Sequence, residues 1–185
     1  MNMDLGNYDM GGYRPGASLP KRVLWYFVNA TVFHSWLLPW SSMKCALLKA
    51  FGATIGKGVV IKPRINIKYP WHLTAGDNVW LGEGVWIDSL GAVEIGSNVC
   101  ISQEAYLLTG NHDYKITTFP LAVKGITIED GAWVGARAVI CPGVNIRENS
   151  IVTAGSVITR DTELNGIYQG NPAKLVRSRT LADPA

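Results

Sequence analysis

The sequence has few charged residues, few cysteines and few histidines. Charged residues make up 17% of its 185 residues, and 17 Lys and Arg against 14 Asp and Glu leave a net charge of +3. Because no run of like charges is present, we expect no nucleic-acid partner. The cysteines, Cys45, Cys100 and Cys141, are widely spaced, which argues against a disulfide framework and against a zinc cluster. We therefore expect reduced thiols and a cytoplasmic protein.

Long hydrophobic runs are also scarce. Residues 23–40 carry no charge but are interrupted by polar residues and by a proline, so a membrane span is only one of three interpretations. The others are a helix packed on its own or a neighbouring subunit, and a helix resting on a membrane surface. Since Lys21, Arg22 and Lys44 flank the run and its tryptophans favour interfaces, peripheral contact of residues 21–40 with the inner face of the membrane is a hypothesis.

The chain divides into three parts. Residues 1–51 predict an irregular arm followed by a helical cap that is broken at Pro39. Residues 52–162 form a repeat array. Residues 163–185 form a tail, in which NPAKLVRSR predicts a short strand or helix followed by disorder.

The array repeats an apolar residue every six positions, in five triplets. The marked positions are Ile55, Ile61, Ile67, Ala75, Leu81, Ile87, Ile95, Ile101, Leu107, Ile128, Val134, Ile140, Ile146, Val152 and Ile158. Four residues after many of them lies a small or β-branched residue, as at Val79, Ala105 and Ala138. A period of six differs from the helical 3.6 and from the strand period of two. It predicts an all-β solenoid, a parallel β-helix of about five coils with capped ends.

The hexads also carry a family resemblance. IGKGVV, LGEGVW and VGARAV resemble the repeats of the left-handed hexapeptide-repeat acyltransferases. KYPWHLTAGDNVWLGEG, ISQEAYLLTGNHDY, EDGAWVGARAVICPGV and QGNPAKLVRSR resemble the colanic acid acetyltransferase branch, which is related to the maltose and galactoside O-acetyltransferases. The resemblance covers nearly the whole chain. It implies a left-handed coil, a homotrimer with active sites between subunits, and acetyl-CoA as co-substrate with no metal required.

His112 lies where the repeat breaks, since 21 residues rather than 6 separate Leu107 from Ile128. A histidine at the root of a loop, here residues 109–127, on a rigid scaffold is well placed to act as a general base. From the residues alone, a surface histidine in a turn is an equal alternative. The resemblance aligns His112 with the family's catalytic histidine and implies direct acetyl transfer to a sugar hydroxyl. The candidates to orient its imidazole are Asp113, Glu104, Asp88 and Glu83.

The resemblance also implies an acetyl-CoA site. Small coil residues after the loop let pantetheine lie against the backbone, an aromatic residue lies near it, and basic residues reach the phosphates. The corresponding residues here are Trp133, Ala136, Ala154, Thr159, Arg160, Lys174 and Arg177. For Ala136 and Ala154, the packing of the repeat is an equally good explanation.

The expected acceptor is a small-molecule or lipid-linked saccharide of cell-surface polysaccharide biosynthesis. Maltose- and galactoside-type relatives have an asparagine-containing stretch in an early coil, where this chain has Gly82-Glu83-Gly84. We therefore expect an acceptor other than a free simple sugar. The candidate acceptor-binding residues are Asn111, Asp113, Tyr114, Tyr106, Glu83 and Asp88.

Other functions stay open at this point. A γ-type carbonic anhydrase shares this kind of solenoid but needs three histidines on zinc, two of them close in sequence, and no histidine lies within 35 residues of His112. A non-catalytic scaffold would use the solenoid only as an assembly surface. Within the enzyme interpretation, another acyl donor or an amino-sugar acceptor would fit the same scaffold.

Overall fold

A computed structural model describes residues 2–182, so residue 1 and residues 183–185 of the predicted tail lie outside the described part. Helix α1 spans Leu19–Val28 and continues into a π-helical segment at Asn29–Phe33. Helix α2 spans Ser41–Ala50 after a break that includes Pro39. Short 3-10 helices lie at Leu5–Asn7 and Pro70–His72. Across residues 2–182, no helix has the length and hydropathy needed to cross a bilayer.

The rest of the chain forms short strands. In chain order, the first are β1 Thr54–Ile55, β2 Val60–Ile61, β3 Asn66–Ile67, β4 Leu73–Ala75, β5 Trp80–Leu81, β6 Trp86–Asp88, β7 Val93–Ile95, β8 Cys100–Ile101 and β9 Tyr106–Leu108. The remainder are β10 Gly110–His112, β11 Leu121–Val123, β12 Ile126–Ile128, β13 Trp133–Val134, β14 Val139–Ile140, β15 Asn145–Ile146, β16 Ile151–Val152, β17 Val157–Ile158, β18 Gly166–Gly170 and β19 Ala173–Ser178.

The strands form a three-sided parallel solenoid, as the hexad period predicts. Sheet 1 has the order β1-β4-β7-β12-β15, sheet 2 has β2-β5-β8-β13-β16-β18, and sheet 3 has β3-β6-β9-β14-β17. The chain visits the three sheets in turn, so each group of three strands adds one coil. The solenoid has about six turns, more than the five marked triplets, because β18 in the tail adds a layer to sheet 2. Strand β19 then pairs antiparallel with β18, so the tail contains two strands.

The interior confirms the marked positions. All fifteen are buried, and Ile61, Ile87 and Ile140 have no exposed surface. The small residues of the second set are buried as well, including Val79 and Ala138. Burying one large aliphatic side chain contributes about 1.5–3 kcal/mol, so this stacked interior is the main source of stability.

Trp25 packs the helical segment against the first coil. Its indole Nε1 donates to the carbonyl of Ile67 at 2.9 Å, and its ring packs on Phe33 and Phe51 with centroid distances of 5.1 and 5.0 Å. In α2, Lys44 is fully buried and its Nζ donates to the Lys62 carbonyl at 3.1 Å. Of the three basic residues that flank residues 23–40, Lys44 is therefore not available to a membrane surface, because its ammonium group is buried in the cap.

Two edges of the solenoid position the candidate site. At the 2–3 edge, where the chain passes from sheet 2 to sheet 3, lie residues 83–84, 103–104, 136–137 and 154–155. At the 3–1 edge, where it passes from sheet 3 to sheet 1, lie residues 89–92, 109–125 and 159–161.

Candidate active site

The break in the repeat is an antiparallel hairpin that leaves the 3–1 edge. Strands β10 and β11 pair with Gly110 opposite Val123 and His112 opposite Leu121. The hairpin returns to the solenoid beside its starting point, since the Lys124 backbone N–H donates to the Thr109 carbonyl at 3.0 Å. His112 is thus held on a paired strand near the turn of the hairpin.

The imidazole of His112 is fixed by a single residue across that turn. Its Nδ1 lies 3.1 Å from the backbone carbonyl oxygen of Phe119, and the two rings stack with centroids 4.2 Å apart and planes 8° apart. A carbonyl oxygen only accepts hydrogen bonds, so Nδ1 carries the proton and Nε2 is left as the basic nitrogen. This arrangement is suited to general-base chemistry at Nε2.

The four carboxylates proposed to orient His112 have other partners. The backbone N–H of Lys115 donates to Asp113 Oδ1 at 3.0 Å, and Arg137 pairs with Glu104. Lys68 Nζ lies 3.4 Å from Asp88 Oδ1, and Arg64 Nη1 lies 3.9 Å from Glu83 Oε1. The structure therefore gives the orienting role to the Phe119 carbonyl, which has no recognisable signature in the sequence.

A cavity of about 520 Å³ contains His112 and two of the predicted acceptor residues, Asn111 and Asp88. Asp88 is 6% exposed, whereas the side chain of Lys68, its ion-pair partner, is 43% exposed. The other predicted acceptor residues are spread out. Tyr106 stacks on Trp86 with centroids 4.8 Å apart, Tyr114 and Asp113 are exposed in the turn of the hairpin, and Glu83 lies on the 2–3 edge.

The N-terminal arm forms a wall of this cavity, which the sequence did not predict. Tyr8, Met10 and Tyr13 all line it. The arm is hydrogen-bonded to the hairpin: Asp9 N–H donates to the Thr118 carbonyl at 3.2 Å, and Leu121 N–H donates to the Asp9 carbonyl at 3.1 Å. The two tyrosines of the arm were the available signal, because aromatic residues seldom stay fully solvated.

Tyr13 and Tyr8 contribute different properties to the wall. The Tyr13 hydroxyl donates to the Leu90 carbonyl at 3.1 Å, and burial raises the pKa of this phenol, so it stays neutral in the ordinary pH range. The Tyr8 ring centroid lies 5.9 Å from that of His112. The arm therefore supplies both a buried hydroxyl and an aromatic ring to the lining of the cavity that contains His112.

Three of the predicted acetyl-CoA residues meet on sheet 2 and the 2–3 edge. Trp133, Ala136 and Ala154 line a cavity of about 280 Å³. Trp133 is 46% exposed, and its indole Nε1 donates to the Ser102 hydroxyl at 2.9 Å, which fixes the ring plane. The small side chains beside it leave backbone accessible, as a long thin ligand requires.

The remaining residues of that set lie elsewhere in the chain. Thr159 and Arg160 are exposed on the 3–1 edge, two coils beyond the hairpin, whereas Lys174 and Arg177 are exposed on β19. One chain therefore brings together only part of the predicted set. Within residues 2–182, no group of three or more His, Cys, Asp or Glu side chains is close enough to hold a metal ion, and the three cysteines are free thiols.

Comparison with known proteins identifies several relatives. Residues 125–160 match the family described as "Hexapeptide repeat of succinyl-transferase". The chain is 39% identical over 172 residues to a protein of Escherichia coli (strain K12) named as a colanic acid biosynthesis acetyltransferase, WcaF, covering 91% of this chain and 92% of that protein. It is 30% identical over 140 residues to the galactoside O-acetyltransferase of the same organism, covering 71% and 66% of the two chains.

Solved structures share the fold. A hexapeptide-repeat acetyltransferase of Vibrio cholerae O1 biovar eltor, complexed with acetyl coenzyme A, superimposes with a TM-score of 0.79 at 24% identity over 94% of this chain and 97% of that one. A galactoside acetyltransferase in complex with coenzyme A gives a TM-score of 0.76 at 24% identity over 96% and 92%.

Proposed function

Because this chain belongs to the hexapeptide-repeat acetyltransferase family, we propose that it transfers the acetyl group of acetyl-CoA to a saccharide hydroxyl in cell-surface polysaccharide biosynthesis. The family makes the chain an acyltransferase; the acceptor and the role of His112 are the proposal. The observation that carries it is the imidazole of His112, fixed by Phe119 and lining a cavity large enough for a sugar.

His112 acts as the general base in this mechanism. Nε2 takes the proton of the acceptor hydroxyl as that oxygen forms a bond to the thioester carbonyl carbon. The carbon–sulfur bond then breaks, and the proton on Nε2 passes to the sulfur of the departing CoA. Burial raises the pKa of the Cys141 thiol, which reduces its thiolate fraction and disfavours a route through an acetylated cysteine.

Acetyl-CoA is placed between neighbouring subunits of a homotrimer. This placement is supported by the way the predicted acetyl-CoA residues are divided within one chain. Trp133, Ala136 and Ala154 lie on sheet 2 and the 2–3 edge, whereas Thr159 and Arg160 lie on the 3–1 edge. A second chain that brings its 3–1 edge against the 2–3 edge of the first would complete the set. Lys174 and Arg177, exposed on β19, would then be available to the CoA phosphates.

The acceptor occupies the cavity beside His112. Asn111 and Asp88 line it, and the ion pair of Asp88 with Lys68 leaves carboxylate oxygens for sugar hydroxyls. Tyr106 on sheet 3, and Asp113 and Tyr114 in the turn of the hairpin, lie outside the lining of this cavity and would contact only an acceptor that extends beyond it. Glu83, on the 2–3 edge, would reach an acceptor only from the neighbouring subunit.

The exposed end of the helical segment is proposed to contact the inner face of the cytoplasmic membrane. Trp36, Leu37 and Trp40 are 60%, 84% and 60% exposed. Deletion of residues 1–40 would remove Trp25 from the core, so the test is a Trp36→Ser, Leu37→Ser double variant floated with anionic liposomes. Equal flotation of wild type and double variant would contradict this contact.

Calorimetric titration with acetyl-CoA, followed by an acceptor screen, tests the function. We expect about one acetyl-CoA bound per chain, the same affinity in His112→Ala, and a fall in kcat of the order of 10²–10⁴ in that variant. A folded protein that binds no acetyl-CoA would support the scaffold interpretation. Equal kcat in wild type and His112→Ala would remove the proposed base.

A further inference from the structure

A second cavity adjoins the one that contains His112. It is a groove of about 640 Å³ between α1 and sheet 3, and it shares three lining residues with the His112 cavity: Arg22, Lys68 and Tyr69. The two spaces therefore meet at these residues. A ligand that fills both would present one chemistry to the groove and another to the catalytic histidine.

The groove is lined mainly by apolar side chains, although Asn29, His34 and Asn66 also line it. Val23, Tyr26 and Phe27 line it from one face of α1, and Trp86 lines it from sheet 3. All four are exposed, at 46%, 67%, 59% and 44%, while Trp25, which borders the same groove, is 2% exposed and packs into the core. The solenoid core thus uses one face of α1 and leaves the other free for an apolar ligand.

The junction between the two cavities is cationic. The Nε of Arg22 is buried and has no hydrogen-bond partner among residues 2–182. Lys68 Nζ lies 3.4 Å from Asp88 Oδ1, and Asp88 is the one carboxylate among the described residues that line the two cavities, beside the two cations Arg22 and Lys68. An unsatisfied guanidinium N–H is a donor suited to phosphate oxygens.

We propose that this groove and junction bind the acceptor as a lipid phosphate: the apolar chain lies along α1, the phosphate lies between Arg22 and Lys68, and the attached saccharide reaches His112. The inference rests on the proposed function and names its acceptor class. The His112 cavity, the cationic junction and the apolar groove follow one another in the order of a glycan, the phosphate that links it and a lipid chain. A flat membrane surface or a bare sugar would use only one of these surfaces.

Calorimetric titration with farnesyl diphosphate, below its aggregation concentration, tests the site without knowledge of the sugar. We expect wild type to bind it at least tenfold more tightly than inorganic pyrophosphate or farnesol. Phe27→Ser and Arg22→Gln should each weaken binding about tenfold. Leu24→Ser is the matched control, because Leu24 is a 58% exposed residue of α1 outside the groove lining, and its affinity should equal that of wild type.

Three results would overturn the proposal. The first is that folded wild type does not bind farnesyl diphosphate, and the second is that Phe27→Ser binds it as tightly as wild type. The third is loss of the oligomer in Phe27→Ser, which would make the groove an interface between copies of the chain. Phosphatidylglycerol vesicles that bind wild type but not Phe27→Ser, while farnesyl diphosphate fails, would assign the face to a membrane. Titration of the same samples with acetyl-CoA separates failure of this proposal from failure of the transferase function, because the proposed acetyl-CoA site does not include α1 or the groove.

Discussion

The imidazole of His112 and the ring of Phe119 lie face to face with centroids 4.2 Å apart, and the Phe119 carbonyl oxygen lies 3.1 Å from Nδ1. One residue therefore sets both the plane of the imidazole and the nitrogen that carries its proton. Phe119 has a φ of 50°, in the left-handed region that a bulky residue seldom adopts. Strain of this kind persists only where the surrounding structure holds it, here the hairpin and the arm packed on it.

Replacing Phe119 with glycine should reduce kcat about tenfold, because the stacked ring is lost while the carbonyl remains and the imidazole gains freedom to rotate. Glycine adopts a φ of 50° readily, so the turn itself is retained. Acetyl-CoA affinity should stay within twofold of wild type. The measurements are kcat with a screened acceptor and the imidazole tautomer by ¹⁵N NMR. Ile116→Ala in the same turn is the control, and an unchanged kcat and tautomer in Phe119→Gly would contradict the positioning role.

Replacing Gly11 with alanine should detach the arm from the hairpin. A Cβ at Gly11 would lie 2.6 Å from the Leu121 carbonyl oxygen, at a φ of 61°. Gly12 is the matched control, since its φ is 75° but a Cβ there meets nothing within 4 Å. Both variants carry similar backbone strain, so only Gly11→Ala should raise amide hydrogen exchange at Asp9 and Leu121.

The same pair of variants tests the arm as part of the site. If the arm forms the wall of the acceptor cavity, Gly11→Ala should raise the KM for the acceptor several-fold and leave the KM for acetyl-CoA unchanged. Identical kinetics in Gly11→Ala and Gly12→Ala would show that the arm has no part in acceptor binding.

The sequence predicted the solenoid well because its determinants are periodic. Each inward position of a coil needs an apolar side chain, so Ile61, Ile87 and Ile140 could be assigned without any knowledge of distant contacts. The antiparallel β18 and β19 are not periodic. Their pairing depends on where the tail meets the last coil, including the Arg179 Nη1 bonds to the Gly131 and Asn149 carbonyls.

The candidate site was predictable only where chemistry depends on side-chain type. His112 is one of three histidines and lies at the break in the repeat, so it was a candidate from the residues, but only the family resemblance favoured it over a surface histidine in a turn. The Phe119 carbonyl could belong to any residue, and the docking of Tyr13 on Leu90 joins positions 77 residues apart. Neither contact leaves a local pattern, which is why the sequence offered only carboxylates as candidates to orient His112 and did not decide among them.

Replacing Ala154 with leucine should weaken acetyl-CoA binding at least tenfold, or about 1.4 kcal/mol, because the larger side chain enters the cavity beside Trp133 and Ala136. Ala154 is exposed, so the melting temperature should change little. Ala154→Ser adds a single atom and should bind as wild type does. Equal affinity in all three proteins would exclude this cavity from the CoA site.

Replacing Lys44 with methionine should change how stability depends on pH. Burial lowers the pKa of Lys44 in the folded protein below its ordinary value of 10.5. Between the folded and the ordinary value, the unfolded chain holds a proton that the folded chain has released, so the free energy of unfolding rises with pH in that window and levels off above 10.5. Wild type should therefore gain stability relative to Lys44→Met as the pH rises from 7 towards 10. Urea unfolding across this range measures the difference, and Lys57→Met at an exposed position is the control. If the free energy of unfolding of wild type and of Lys44→Met depends on pH in the same way, Lys44 does not carry a buried charge.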